Sequence, residues 1–211
     1  MSTKDKILDA AERLFARDGF DGTSLRTITT EADVNLAAVN YHFKSKESLI
    51  LELFARHLKP VAEQRKALLD EYLAGADDGP LELEPILTAF FRPVLQTGSR
   101  HLSENGMAVK CLMGRLYTSP QEFTSKLFDE NFRETVKAFH SAIARAIPQL
   151  PAEVVMWRMH FMIGSMAHTL AAGTLLDLLS GGECDTQDMT QVERQLVAFA
   201  AAGLRAEVPK A

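Results

Sequence analysis

Residues 34–49 bring amide, aromatic and basic side chains together within a short stretch of the chain. Asn40 has an amide that can form two hydrogen bonds to adenine, and Ala37 and Ala38 are small enough to approach a thymine methyl group. These groups suit base edges in the DNA major groove, whereas neighbouring hydroxyl and basic groups suit phosphate oxygens, which fix register rather than sequence. The predicted DNA-contacting residues are Ser24, Arg26, Asn35, Ala37, Ala38, Asn40, Tyr41, His42, Lys44 and Lys46.

Simpler explanations exist for some of these side chains. Ala37 and Ala38 also suit an ordinary helix, and Tyr41 could instead pack against the first helix. A catalytic or metal-binding role for His42 is not indicated, because no carboxylate or second histidine lies at ligand spacing beside it.

The elements that must position these side chains are short helices. Apolar residues recur at helical spacing in residues 7–15, and the pattern ends at Asp18–Gly19, where glycine can take the left-handed C-cap conformation. A second helix starts at Thr23–Ser24, and a third begins near Asn35 and runs for about two turns. Ser45 then caps a long fourth helix. Two short helices joined by a tight turn form a helix-turn-helix, in which the second helix enters the groove.

Several linked motifs follow one another in this segment: Ala11–Phe15, Gly19–Phe20, Thr23–Ile28, Ala32–Val34 and Tyr41–Lys46. With them, residues 7–49 resemble the DNA-binding domain of TetR-type transcriptional repressors. The resemblance implies a homodimer on double-stranded operator DNA. Ala37–Asn40 replaces the Gly-Thr-Leu-Tyr-like run that is commoner in the family, so no operator sequence follows from the resemblance. The Val39–Phe43 variant is similar to the branch that responds to long-chain acyl compounds.

The charge of the chain excludes DNA binding by a uniformly basic domain. The net charge is −5, and residues 1–50 contain seven Lys and Arg against eight Asp and Glu. DNA affinity would therefore come from a local basic patch, with the acidic residues on another face. Few phosphates are then neutralised per subunit, which predicts a moderate dependence of affinity on salt. The predicted patch consists of Lys4, Lys6, Arg26, Lys44 and Lys46.

The rest of the chain predicts an all-α protein of about nine helices. Residues 1–48 are expected to form the DNA-binding domain and residues 49–211 a ligand-binding and dimerisation domain. Pro60 is expected to bend the fourth helix, since it removes a backbone donor. Gly, Pro and cap residues separate the later helical patterns. The predicted helices cover residues 49–73, 84–97, 104–117, 120–147, 151–179 and 186–206.

Motifs and composition limit the classes of function. An enzyme is not indicated, because the chain has no Gly-x-Ser-x-Gly, no phosphate-binding glycine loop and no His-Glu-x-x-His. Cys111 and Cys184 stand far apart, so no disulfide, metal site or cofactor is predicted, and a reducing cytoplasm fits best. Polar residues interrupt the apolar stretch 162–179, which predicts a buried interface helix and no membrane partner. A helical interaction protein without DNA binding is the alternative class.

The last two predicted helices carry apolar and small residues at intervals of three or four, a pattern that suits close packing of two helices from each of two subunits. A homodimer would place two recognition helices about 34 to 36 Å apart on a palindromic site. An intramolecular core is the alternative explanation of the same pattern. The predicted interface residues are Phe161, Ser165, His168, Ala172, Leu175, Val192, Leu196, Phe199 and Gly203.

A methionine-rich interior suggests a pocket for a small apolar or amphipathic effector, since flexible thioethers adapt to such molecules. Ordinary core packing explains the same residues equally well. An effector between the fifth and eighth helices would move the fourth helix and release DNA, although an effector that promotes DNA binding is also compatible with the sequence. The predicted effector-binding residues are Phe90, Phe91, Met107, Cys111, Met113, Arg115, Met159, Met162 and Met166.

Overall fold

The computed structural model describes residues 2–76, 79–99 and 132–208, which form helices and no strands. The predicted all-α class is confirmed, with eight helices in the described ranges against about nine predicted. The predicted helix 104–117 and the first part of the predicted helix 120–147 lie outside the described residues. The helices are α1 (Thr3–Gly22), α2 (Leu25–Glu31), α3 (Leu36–Phe43), α4 (Lys46–Gly75), α5 (Leu83–Ser99), α6 (Arg133–Ala146), α7 (Ala152–Leu179) and α8 (Met189–Arg205).

Side-chain caps set the starts of the first four helices. Ser24, Asn35 and Ser45 each accept a hydrogen bond from a backbone N–H three residues further on, as the sequence predicts. Ser2 forms a reciprocal capping box with Asp5. The caps leave α2 and α3 as short helices that pack against α1.

Gly19 interrupts α1 where the sequence predicts the end of the first helix. Its φ is 78°, a left-handed value that glycine adopts without steric cost, and a further helical turn follows to Gly22. Thr23 is buried beneath this bend, and its hydroxyl donates to the Gly19 carbonyl at 2.9 Å. The bend directs the chain into α2.

The helix α4 extends without a break across the predicted domain boundary at residue 48 and through Pro60. Its first half contacts α1 and α3, and α4 also packs on α5 and α6. One helix therefore joins the helix-turn-helix to the larger helical part of the chain.

The helix α5, which packs on α4, also lies beside α8, and two ion pairs join α5 to α8. Arg92 binds Glu193 through two nitrogens, with the shortest distance 2.8 Å, and Arg205 binds Glu84 in the same bidentate manner. Asp188 caps α8, which therefore begins at Met189 rather than at the predicted residue 186.

The helix α7 is long and apolar, and it bends at Ala172, where φ is −133°. One side faces the core, whereas Trp157, Phe161, Leu178 and Leu179 are exposed. Among the described residues, α7 alone has the length and hydropathy of a membrane-spanning helix, with 22% of its most apolar window buried.

Candidate nucleic-acid interface

The helix α3 presents one exposed face to solvent. Val39 and Phe43 lie on the opposite side and are buried against the other helices of the N-terminal unit. The exposed side chains recur at intervals of about four residues, so that they share one side of the helix. This face consists of Leu36, Ala37, Asn40, Tyr41 and Lys44.

Tyr41 is 83% exposed, so the alternative in which it packs against α1 is wrong. Its ring makes a T-shaped contact with the ring of His42, with ring centroids 5.0 Å apart. His42 is also exposed, on the same end of α3. Both side chains therefore lie free at the surface, within reach of a molecule that contacts α3.

Two of the predicted DNA-contacting residues act as helix caps. The Asn35 carboxamide oxygen accepts a hydrogen bond from the Ala38 backbone N–H at 2.9 Å, and the Ser24 hydroxyl accepts one from the Thr27 backbone N–H at 3.1 Å. The Ser24 hydroxyl also shares a 2.8 Å hydrogen bond with the Thr27 hydroxyl. Thr27 is exposed beside Ser24 and was not among the predicted residues.

A tight turn at Lys44 joins α3 to α4. Lys44 has φ 65° and ψ −42°, and the Ser45 N–H donates to the Phe43 carbonyl across it at 2.7 Å. This i to i+2 bond with positive φ forms a γ-turn of the strained type. The turn leaves Lys44 exposed and places Lys46 in the first turn of α4, two residues further along the chain.

Ion pairs divide the basic residues of the N-terminal unit into two sets. Lys4 pairs with Glu52 at 2.6 Å, and both side chains are partly exposed. Arg13 and Arg17 are paired as well, with Glu31 and Asp18. Among the described residues, no ion pair involves the remaining members of the predicted patch, which are Lys6, Arg26, Lys44 and Lys46.

The first half of α4 is joined to α1 by acid–base contacts. Glu12 and His57 are both buried, and their side chains form a 2.8 Å hydrogen bond. The Lys4–Glu52 pair and a 2.6 Å pair between Arg56 and Asp9 lie along the same helix contact. The start of α4 is thereby held to α1 at several points.

The interior contains the predicted aromatic and methionine side chains together with a buried arginine. Arg65 is 1% exposed, and its Nε donates to the Phe90 carbonyl at 2.7 Å while the guanidinium lies 3.9 Å above the Phe90 ring. Its Nη2 lies 3.9 Å from the Met166 sulfur. Arg65 was missed, although it sits between Val61 and Leu69 on the apolar face of α4, a signal the sequence contains.

The predicted effector-binding residues divide between two groups. Phe90, Phe91, Met159, Met162 and Met166 are all buried in the hydrophobic core. Those outside the described residues are Met107, Cys111, Met113 and Arg115.

The predicted dimer residues also divide. Phe161 and Phe199 are 60% and 65% exposed, whereas Val192 and Leu196 are buried in the core of the chain itself. The prediction that these two residues are exposed for a dimer contact is therefore corrected: they lie on the side of α8 that packs against its own subunit. Leu175, His168 and Gly203 are exposed, and Ser165 and Ala172 are half-buried.

Trp157, which is not among the predicted interface residues, widens the exposed face of α7 and α8. Trp157 is exposed and stacks on Phe161, with ring centroids 5.9 Å apart. Phe199 of α8 borders two open grooves of about 470 Å³ each. One groove includes Trp157 and Phe161, and the other includes Leu176 and Thr186.

Two family models match the chain. The one described as the tetR family of bacterial regulatory proteins matches residues 7–53, and the one described as a tetracyclin repressor-like C-terminal domain matches residues 88–203. The first covers the helix-turn-helix with the start of α4, and the second covers most of α5 to α8.

Curated relatives agree with the N-terminal match. YttP of Bacillus subtilis (strain 168), by name an HTH-type transcriptional regulator, is 51% identical over 53 residues, which is 25% of this chain and 26% of that protein. IcaR of Staphylococcus epidermidis, by name a negative transcriptional regulator of the biofilm operon icaADBC, is 26% identical over 130 residues, 60% of this chain and 66% of IcaR. These matches span less than two thirds of either relative.

Solved structures share this helical fold. The fatty acid degradation regulator FadR from Bacillus halodurans superposes with a TM-score of 0.67 at 15% identity and covers 98% of both chains. A TetR-family transcriptional regulator from Bordetella parapertussis 12822 gives a TM-score of 0.62 at 16% identity, with 93% of each chain covered. Since the C-terminal family model alone spans more than half of the sequence and the N-terminal model matches the helix-turn-helix, the chain belongs to the TetR family of bacterial transcriptional regulators.

Proposed function

We propose that the protein is a cytoplasmic repressor that binds a palindromic DNA operator as a homodimer and releases it when a small effector binds. The observation that carries the proposal is the exposed face of α3, where Asn40 and Tyr41 project from a helix whose other side is buried. Lys44 and Lys46 follow its C-terminal end, form no ion pair with another described residue and supply phosphate contacts. A helical interaction protein without DNA binding would not need this arrangement.

The exposed face of α7 and α8 supports the homodimer. Trp157, Phe161 and Phe199 form an apolar surface in which large aromatic side chains border open grooves. Small residues at Ala172 and Gly203 permit close approach of a second pair of helices. A two-fold axis through this surface would present both α3 helices to successive turns of DNA.

The connection through α4 supports effector control. Its first half is held to α1 by the buried Glu12–His57 pair, so the helix-turn-helix follows any displacement of that half. Its second half carries Arg65 into the core beside Phe90. An effector that separates these core contacts would alter the spacing of the two α3 helices and therefore the affinity for DNA.

We expect the effector to be apolar or amphipathic, as acyl compounds are, because the side chains around Arg65 are aromatic and thioether groups. A charged headgroup would be compatible with a buried guanidinium. We propose that effector binding lowers the affinity for DNA. An effector that raises this affinity would instead appear as tighter DNA binding on addition of an acyl compound.

The test of DNA binding compares two variants on a duplex selected by the wild-type protein from a random pool. Asn40→Ala should cost about 1 to 3 kcal/mol and blur one base position, because it removes a bidentate base contact. Lys46→Ala should weaken binding to all sequences alike and lower the slope of log affinity against log salt by about one. Lys137→Ala, an exposed lysine on α6, is the matched control and should change neither. The proposal would be wrong if no sequence is enriched and neither variant alters retention on DNA at low salt.

A further inference from the structure

Leu36 is a large aliphatic side chain left 41% exposed at the start of α3. Within residues 2–53, all of which the structure describes, it is the only aliphatic residue among the exposed large hydrophobic side chains. Leu25 and Val34, its neighbours in the N-terminal unit, are partly buried and pack against the core, whereas Leu36 does not belong to that cluster. Leu36 therefore takes no part in the hydrophobic core that the described residues form.

The position of Leu36 matches the part of a recognition helix that approaches bases. It is the first helical residue after the Asn35 cap, and the N-terminal residues of a recognition helix contact base edges. Asn40 lies four residues further on, one helical turn away on the same face, at a rise of about 6 Å. With base pairs spaced by about 3.4 Å, this separation corresponds to about two base-pair steps.

We infer that Leu36, supported by Ala37, recognises the C5-methyl group of a thymine within about two base pairs of the adenine that Asn40 contacts. This inference rests on the proposed function and names a specificity determinant within it. Thymine is the base that offers an apolar group in the major groove, and an aliphatic side chain is its chemical complement. Burial of Leu36 and the methyl group against each other removes apolar surface of both from water.

Uracil substitution tests the inference, because uracil lacks only that methyl group. The duplex that wild-type protein selects from a random pool is resynthesised with uracil at one thymine position at a time, in both half-sites. We expect one thymine near the Asn40-dependent adenine at which uracil weakens wild-type binding by about fourfold per half-site, the worth of one buried methyl group. Leu36→Ala should bind the thymine and uracil duplexes equally, whereas Leu36→Met should retain the preference for thymine.

Controls separate this readout from effects on folding or on DNA binding as a whole. Val208→Ala shortens another exposed aliphatic side chain outside the N-terminal unit and should keep the preference for thymine. Asn40→Ala should lose discrimination at the adenine but keep the methyl dependence. The thermal unfolding midpoint of Leu36→Ala should equal that of the wild type, since alanine favours helix and the leucine is exposed.

The possible outcomes distinguish failure of the role of Leu36 from failure of the proposed function. If no sequence is enriched from the pool, DNA recognition fails and the role of Leu36 fails with it. If a sequence is enriched but uracil weakens wild-type binding at no position, or weakens Leu36→Ala as much as wild type, the role of Leu36 is overturned and the proposed function stands.

Discussion

The buried contact between Glu12 and His57 should contribute strongly to the stability of the protein. Each side chain is the other's hydrogen-bond partner at 2.8 Å, and they are only 10% and 7% exposed. His57→Ala would leave the carboxylate of Glu12 buried without that partner, and we expect a loss of about 2 to 4 kcal/mol in the free energy of unfolding. Urea denaturation measures this loss.

A double-mutant cycle is the control for that prediction. Removing both partners leaves no unpaired polar group, so Glu12→Ala with His57→Ala should cost less than the two single changes added together. Additive losses would show that the contact contributes nothing beyond the packing of the two side chains.

The Glu84–Arg205 pair should make stability depend on pH. The hydrogen bonds from Arg205 lower the pKa of Glu84 below its usual value, so the pair stabilises the folded state above the unfolded pKa of a glutamate and loses this effect as pH falls through the lower, folded pKa. Both side chains are about half exposed, so the contribution at pH 7 should be only about 0.2 to 1 kcal/mol.

Glu84→Gln reveals that contribution. The variant should be less stable than the wild type at neutral pH, and the two unfolding free energies should converge at acid pH, once the Glu84 carboxyl of the wild type is protonated in the folded as well as the unfolded state. Glu183→Gln, at an exposed carboxylate with no ion pair among the described residues, should show no such convergence. A constant difference between Glu84→Gln and wild type down to acid pH would contradict the assignment.

Single residues differ in how far sequence reasoning can place them. The caps Ser24, Asn35 and Ser45 were predictable because capping is a local interaction that depends on residue type and on the next three residues. The buried position of Arg65 was not predicted, because it depends on Phe90 and Met166, which are distant in sequence. Its place on the apolar face of α4 was the signal that could have indicated it.

At the scale of elements, the connection between α7 and α8 depends on Gly173. A Cβ atom at this position would lie 2.8 Å from the Thr186 hydroxyl oxygen and 3.0 Å from the Thr186 Cβ. Thr186 is buried and held there by both of its hydrogen bonds to the Asp177 carboxylate, at 2.8 and 2.9 Å. Gly173 therefore allows the loop before α8 to lie directly on α7.

Gly173→Ala should destabilise the protein by about 1 to 3 kcal/mol, because the added methyl group forces either the loop or the helix to move. Gly75→Ala, where a Cβ atom meets nothing within 4 Å, is the control and should be neutral or slightly stabilising. Chemical denaturation of both variants measures the difference. Equal effects of the two substitutions would show that the loop yields without cost.

The spacing of apolar residues predicted the bounds of α7 and α8 but not which face of each helix lies inward. Their bounds were predicted within about three residues, since Pro151, the glycines after Leu179 and the final apolar residues mark the ends. Spacing did not show which face lies inward, because apolar side chains occur on more than one side of each helix. Val192 and Leu196 consequently proved to face the core, and Trp157 proved exposed.

For the whole molecule, the exposed apolar face of α7 and α8 leads us to expect that two subunits pair. Phe161 and Phe199 are both more than half exposed, and isolated chains rarely leave aromatic residues grouped in this way. If the face pairs two subunits, a glutamate at Phe161 would place like charges near one another across a two-fold axis. Such a placement costs several kcal/mol, so the dimer dissociation constant should rise by about a hundredfold or more.

Phe161→Glu should therefore sediment as a monomer at micromolar concentration while it keeps its helical circular dichroism, because the substituted side chain lies outside the core. Ala138→Glu, at an exposed position on α6, adds the same charge elsewhere and should remain a dimer.

Binding of a palindromic duplex should weaken in Phe161→Glu but not in Ala138→Glu, since a monomer engages only one half-site at a time. Binding of a single half-site should be unaffected in either variant. A Phe161→Glu protein that is still dimeric would show that another surface pairs the subunits, and a monomer with full affinity for the palindrome would separate DNA binding from assembly.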